Sequence, residues 1–206
     1  MLKNQMLVLG LVILGGPSLA VAPPSNCNEI FVELNNARKD GQEYDEVSQI
    51  VANLPIFMKD DSKCHRFFGG KEKIADWTFR LLDYKLLAVA KTTSVANPTG
   101  TIISGFTSSC GARIPAGYAA IFIATNGSFF NLQARTVSLI DGRWKYYRGA
   151  SIRAKVILIL HELAHSMELG YFDHNDRGDA RRSAMNNGIV LSECMLTIES
   201  AGRKSR

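Results

Sequence analysis

Long apolar runs are scarce in this sequence. A membrane-spanning helix needs about 20 consecutive apolar residues. The most sustained stretch, Met6 to Gly15, is shorter and gives way to Gly16-Pro17. No stable membrane insertion is expected beyond that segment. Also missing are an internal repeat, a low-complexity block and any Cys-x-x-Cys pair, which sets aside solenoids, disordered tracts and zinc knuckles. Basic residues do not gather into a stripe interleaved with aromatics. The densest clusters are Arg203-Lys204-Ser205-Arg206 and Arg181-Arg182, and neither makes a nucleic-acid footprint.

What is present is the composition of a folded domain. Of the 206 residues, 46% are hydrophobic and 21% charged. That balance supports a packed core and a single domain. The first 20 residues have the parts of a secretory signal: Lys3, a short apolar run, and small residues at Ser18 and Ala20 before a cut after Ala20. Residues 21–206 then form the mature chain, secreted or periplasmic. Removing the signal takes away Lys3 and no acid, so the formal charge falls from +5 to +4. The four cysteines, Cys27, Cys64, Cys110 and Cys194, suggest two disulfides in an exported chain. Spacing alone favours Cys27–Cys64 and Cys110–Cys194.

The order of elements predicts an α+β fold. Two short helices are expected between Asn28 and Leu54, divided at Asp40-Gly41. Another follows from Lys71 to Tyr84, with Ile74, Trp77, Leu81 and Leu82 on one side. Strand-forming runs lie at Leu86 to Thr92 and Tyr118 to Thr125, the second closed by Asn126-Gly127. Thr136 to Ile140, Asp141-Gly142 and Arg143 to Tyr147 spell a hairpin with a two-residue turn. A long helix is expected from Ser151 to Leu169, closed by Gly170, and a last one from about Ala180 to Cys194. The chain would thus have N-terminal helices, a small β-sheet, a long buried helix and a C-terminal helix.

The chemistry concentrates in the long helix, at His161-Glu162-Leu163-Ala164-His165. Two histidines four apart project from one helical face, and neutral imidazoles there can share one Zn²⁺ at about 2.0–2.1 Å. Glu162 is turned about 100° away from His161. From that position it can take a proton from water activated by the metal. Five aliphatic residues, Val156 to Leu160, precede the motif, so the helix should be buried round most of its circumference. Buried histidines and a buried glutamate need partners, and a metal supplies them. A third ligand must come from elsewhere. His174 is the first candidate by type. Asp173, Asp176 and Asp179 compete with it, and Glu193 is a more remote option. Asp176 and Asp179 are alternatively suited to orient a ligand histidine. Tyr171, with Tyr146 and Tyr147 as alternatives, is a candidate donor to a developing oxyanion.

The His161–His165 segment resembles the active-site motif of zincin metallopeptidases. That likeness implies a single zincin-like domain, His161 and His165 as zinc ligands, and Glu162 as general base. The metzincin branch carries Gly and His where this chain has Glu168 and Tyr171, so that pattern fails. More broadly, the chain resembles small exported bacterial proteins of unassigned role. They share an Asn-Gly-x-Phe-Phe-like segment, a histidine–glutamate helix, an Asp/Asn/Gly loop and a Ser-x-x-Asn helix ending near Cys. Here these are Asn126 to Phe130, His161 to His165, Asp173 to Asp179, and Ser183 to Cys194.

The expectation is an exported zinc-dependent hydrolase acting on a peptide or protein. The alternative is a non-catalytic exported binding module with a structural or relict zinc site. Asn126-Gly127-Ser128 fits a glycosylation sequon, although a hairpin turn accounts for it equally well. Phe129-Phe130 is expected in the core, and the strand from Thr136 to Ile140 offers an edge to an extended peptide.

Overall fold

The computed structural model describes residues 41–84, 86–90, 105–108, 119–173, 176 and 179–204. The expected signal segment, Cys27, Cys110 and His174 lie outside them. Three helices come first: α1 (Gly41–Phe57), α2 (Ser62–Phe67) and α3 (Lys71–Asp83). The apolar residues that set their spacing, Val47, Ile50, Val51 and Leu54 on α1 and Ile74, Trp77 and Leu81 on α3, are all buried. Next come β1 (Leu87–Ala90), β2 (Gly105–Ser108), β3 (Ala120–Ala124), β4 (Arg135–Ile140) and β5 (Arg143–Arg148). The chain continues through α4 (Ile152–Ser166), α5 (Ala180–Glu193) and α6 (Met195–Lys204). The fold is α+β. Among the described residues no helix is long and apolar enough to cross a membrane.

The strands form two sheets, where one small sheet was expected. In the first, β3 lies between β1, parallel to it, and β2, antiparallel to it. A central strand covered on both faces should be apolar throughout, and all five residues of β3 are buried. The second is the hairpin β4–β5, with Ile140 opposite Arg143. Its turn residues, Asp141 and Gly142, both have positive φ (48° and 74°), the geometry that favours Asp-Gly at a tight hairpin. The sequon falls in the turn after β3. There Ser128 is buried, its hydroxyl 2.9 Å from that of Thr136, and Phe129 is fully buried.

Helix α4 runs through the core. Every residue from Ala154 to Ala164 is buried, as an all-round apolar helix requires. Ser151 caps its start by accepting from the Ala154 N–H at 3.3 Å. Lys155, buried among these residues, pairs with Glu46 of α1 and lies over the Phe129 ring, 5.3 Å from its centroid. The helix ends three residues before the expected Leu169, and Gly170 does not close it. The left-handed residue is Glu168, with φ 50°. The Glu168 N–H donates to His165 O at 3.0 Å and the Leu169 N–H to Ala164 O at 3.2 Å. These are the two bonds of a Schellman ending. Leu169 and Ala164, the two positions whose apolar contact often accompanies this motif, are both buried.

The helix expected from about Ala180 to Cys194 is α5, and a further helix that was not expected, α6, follows it directly after Cys194. The start of α6 is held by a residue remote in sequence. Asp61, only 2% exposed, caps α2 by accepting from the Cys64 N–H at 3.1 Å. Its other carboxylate oxygen accepts from both the N–H and the hydroxyl of Thr197, each at 2.9 Å. One side chain therefore satisfies amides in the first turns of two helices. Beside it, Cys64 is bonded to Cys194, with Cα atoms 4.5 Å apart. This corrects both expected pairings, since Cys64 is not joined to Cys27 nor Cys194 to Cys110. The bridge closes a separation of 130 residues, and nothing in the local spacing marks it. A disulfide is compatible with an oxidising compartment.

Candidate metal centre

The site forms where α4 meets the segment leading into α5. One helical turn brings the His161 and His165 Nε2 atoms to 3.1 Å from each other. Asp176 lies against both rings, with Oδ2 3.1 Å from His161 Nε2 and Oδ1 3.2 Å from His165 Nε2. One ligand atom from each of the three residues falls within 4.8 Å of the others. Among the described residues this is the one His, Cys, Asp and Glu grouping with metal-holding geometry. Phe172 walls the site, its ring edge-on to both imidazoles with centroids 5.2 and 4.8 Å away.

The electrostatics follow from burial and proximity. His161 and Asp176 are 4% and 8% exposed. Burial by itself would lower the His161 pKa. The Asp176 hydrogen bond, the negative charges of Glu162 and Asp176, and the contact with Asn187 outweigh it, and the value stands above that of an ordinary histidine. Burial would raise the Asp176 carboxyl, but hydrogen bonds and charge from the two imidazoles hold it well below the usual carboxylate range. Glu162 is 4% exposed and its charge acts on His161, yet it is not part of the three-residue group.

Other expected residues are distributed differently. Asp173 stays out of the group; its carboxylate lies 3.7 Å from Arg182 Nε, and its N–H donates to Asn186 Oδ1 at 3.1 Å. Asp179 caps α5, accepting from the Arg181 and Arg182 N–H groups, each at 3.0 Å. Glu193 pairs with Lys63 at 3.3 Å. The Tyr171 hydroxyl donates to the Phe67 carbonyl at 2.6 Å, and its ring lies 5.2 Å from that of Phe67. Its one proton is thereby committed to α2 instead of to an oxyanion. Tyr146 is exposed beneath Arg135. Tyr147 packs against the core; burial, with a push from the Glu199 charge, raises its pKa.

Two residues that the sequence did not mark as site residues hold the site together. Asn187 Oδ1 is 2.8 Å from His161 Nδ1, and Asn186 Nδ2 donates to Asp176 Oδ2 at 2.8 Å. A signal was present. Asn186-Asn187-Gly188 places three poor helix formers inside a helix, and Asn186 and Asn187 are 1% and 5% exposed. The edge of β4 that was expected to be open is covered by α5. The Val137 carbonyl accepts from Asn187 Nδ2 at 2.8 Å, and a Cβ at Gly188 would overlap the Leu139 carbonyl.

Comparison with protein-family models, with curated proteins and with solved structures found no match.

Proposed function

We propose that this chain is an exported zinc-dependent hydrolase that cleaves peptide bonds. The observation that carries the proposal is the convergence of His161 Nε2, His165 Nε2 and an Asp176 oxygen within 4.8 Å, with buried Glu162 on the same helix. The donor set suits the ion: two imidazoles and one carboxylate are a common protein complement for catalytic zinc. Among the described residues the group offers three protein ligands, the number that catalytic zinc sites use with a fourth position left for water or substrate, whereas structural sites use four.

When bound, the ion supplies Lewis acidity, polarising a carbonyl and acidifying water. The remaining work falls to the chain. His161, His165 and Asp176 fix the ion's place. Phe172 walls off one side of it and limits water there. Glu162, beside the ligands but not one of them, accepts the proton of the attacking water and passes it to the leaving amine.

Metal analysis of the purified protein, with peptide hydrolysis assayed in parallel, tests the proposal. Wild-type protein should carry one zinc per chain. His165→Ala should lose metal and activity together, while Glu162→Ala should keep the metal and lose activity. Wild-type protein that takes up no stoichiometric metal would overturn the assignment.

A further inference from the structure

The hydrogen bonds between β4, α5 and α4 have a direction that the atom types dictate. A main-chain carbonyl can only accept. The Asn187 amide nitrogen therefore faces the Val137 carbonyl, 2.8 Å away, and the amide oxygen is turned towards His161 Nδ1, also at 2.8 Å. An amide oxygen accepts, so Nδ1 must carry a ring proton, and once the ring is neutral the lone pair falls to Nε2 in place of the proton it shares with Asp176 in the charged ring. Nε2 is the nitrogen that faces His165 and Asp176.

We infer that the main chain of β4, acting through the Asn187 carboxamide, selects the tautomer of His161 that can bind a metal. Asn187 is on this account a positioning residue of the centre. The inference rests on the assignment of His161 as a ligand.

Neighbouring residues make the arrangement rigid. Asn186 treats the carboxylate as Asn187 treats the imidazole. Its Nδ2 donates to Asp176 Oδ2 at 2.8 Å and to Asp173 O at 2.9 Å, and its Oδ1 accepts from the Asp173 N–H at 3.1 Å. Adjacent carboxamides on one helix thus hold two different ligands, each tied also to main chain. Gly188 makes the reach possible, because any side chain there would overlap the Leu139 carbonyl and push α5 off β4. Asn, Asn and Gly are weak choices for a helix interior. Their polar and steric tasks at the site give a physical reason for that choice.

A merely structural Asn187 would tie α5 to β4 and nothing more, and two substitutions separate the roles. Asn187→Leu removes both the acceptor for His161 and the donor to Val137. Asn187→Asp keeps the acceptor and removes the donor. Zinc affinity, measured by competition with a chromophoric chelator, should fall about 10- to 100-fold in N187L, the range for loss of an outer partner of a ligand histidine. N187D should bind zinc at least as tightly as wild type. Equal losses in the two variants, or no loss in N187L, would overturn the inference.

A second measurement does not depend on a variant folding. In protein labelled with nitrogen-15 at histidine, the zinc-loaded form should show the His161 proton on Nδ1. Metal-free protein at alkaline pH, where the ring is neutral, should show the same. A proton on Nε2 in the metal-free protein would refute the tautomer assignment even if zinc binds. Conversely, failure to bind zinc with the proton found on Nδ1 would remove the proposed function and leave the tautomer selection standing.

Discussion

Asp176 illustrates how a single carboxylate can balance a buried pair of imidazoles. Buried at the junction of α4 and α5, it lies 3.1 and 3.2 Å from two ring nitrogens. Its depressed pKa contributes stability to the metal-free protein above the unfolded carboxyl value, and that contribution is lost as pH falls through the depressed value. The raised pKa of His161 acts in the opposite sense. Its contribution is complete below the unfolded histidine value and is lost as pH rises through the raised one. A metal has to displace protons from the imidazoles, so zinc affinity should weaken as the solution is acidified. Isothermal titration in two buffers of different ionisation enthalpy would register the released protons. On the proposed zinc reading, Asp176→Ala removes a ligand instead of an outer partner. Its affinity should drop by more than the roughly 100-fold upper figure for outer partners, and a chelator competition assay giving wild-type affinity would contradict its place in the centre.

Among the elements, α4 carries most of the physical argument. It is buried because its sequence is apolar nearly all round, and two of its buried polar residues are answered from elsewhere in the fold: Lys155 by Glu46 and His161 by Asp176 and Asn187. Its end stores a small conformational cost, since Glu168 occupies a left-handed conformation at φ 50°. That conformation disfavours a residue with a Cβ by about 1–2 kcal/mol, part of which glycine would forfeit through its freer unfolded chain. Glu168→Gly should therefore stabilise the protein by about 1 kcal/mol, a rise of about 2–4 °C in Tm for a chain of this size. Calorimetry checks this, and unchanged zinc content would place the effect outside the centre. A lower Tm would mean that the Glu168 side chain contributes more than its backbone costs.

For the molecule as a whole, the Cys64–Cys194 bond joins the N-terminal helices to the junction of α5 and α6, beside the Asp61 cap that serves both regions. Closing so long a loop lowers the entropy of the unfolded chain, and loss of such a bond costs about 2–5 kcal/mol. Reduction should lower Tm markedly. A non-reduced digest should contain a Cys64–Cys194 cross-linked peptide, and recovery of Cys64 joined to Cys27 would refute the pairing.

The amino-acid sequence by itself determined what depends on neighbours within a few residues. The four-residue spacing of His161 and His165, the Asp141-Gly142 hairpin, the apolar stripe of α3 and the buried character of α4 are all local, and each is found in the structure. Of the possible third ligands, His174 lies outside the described residues, and Asp173 and Asp176 could not be told apart by spacing. Their positions depend on how the loop after α4 is pinned by Asn186, a residue on a different helix. Tertiary structure alone decided the inclusion of Asp176, the roles of Asn186 and Asn187, the Cys64–Cys194 bond and the Asp61 cap on α6. Each of these is a contact between residues far apart in sequence or on separate elements. Such contacts form only when packing brings the elements together, and residue spacing carries no record of them.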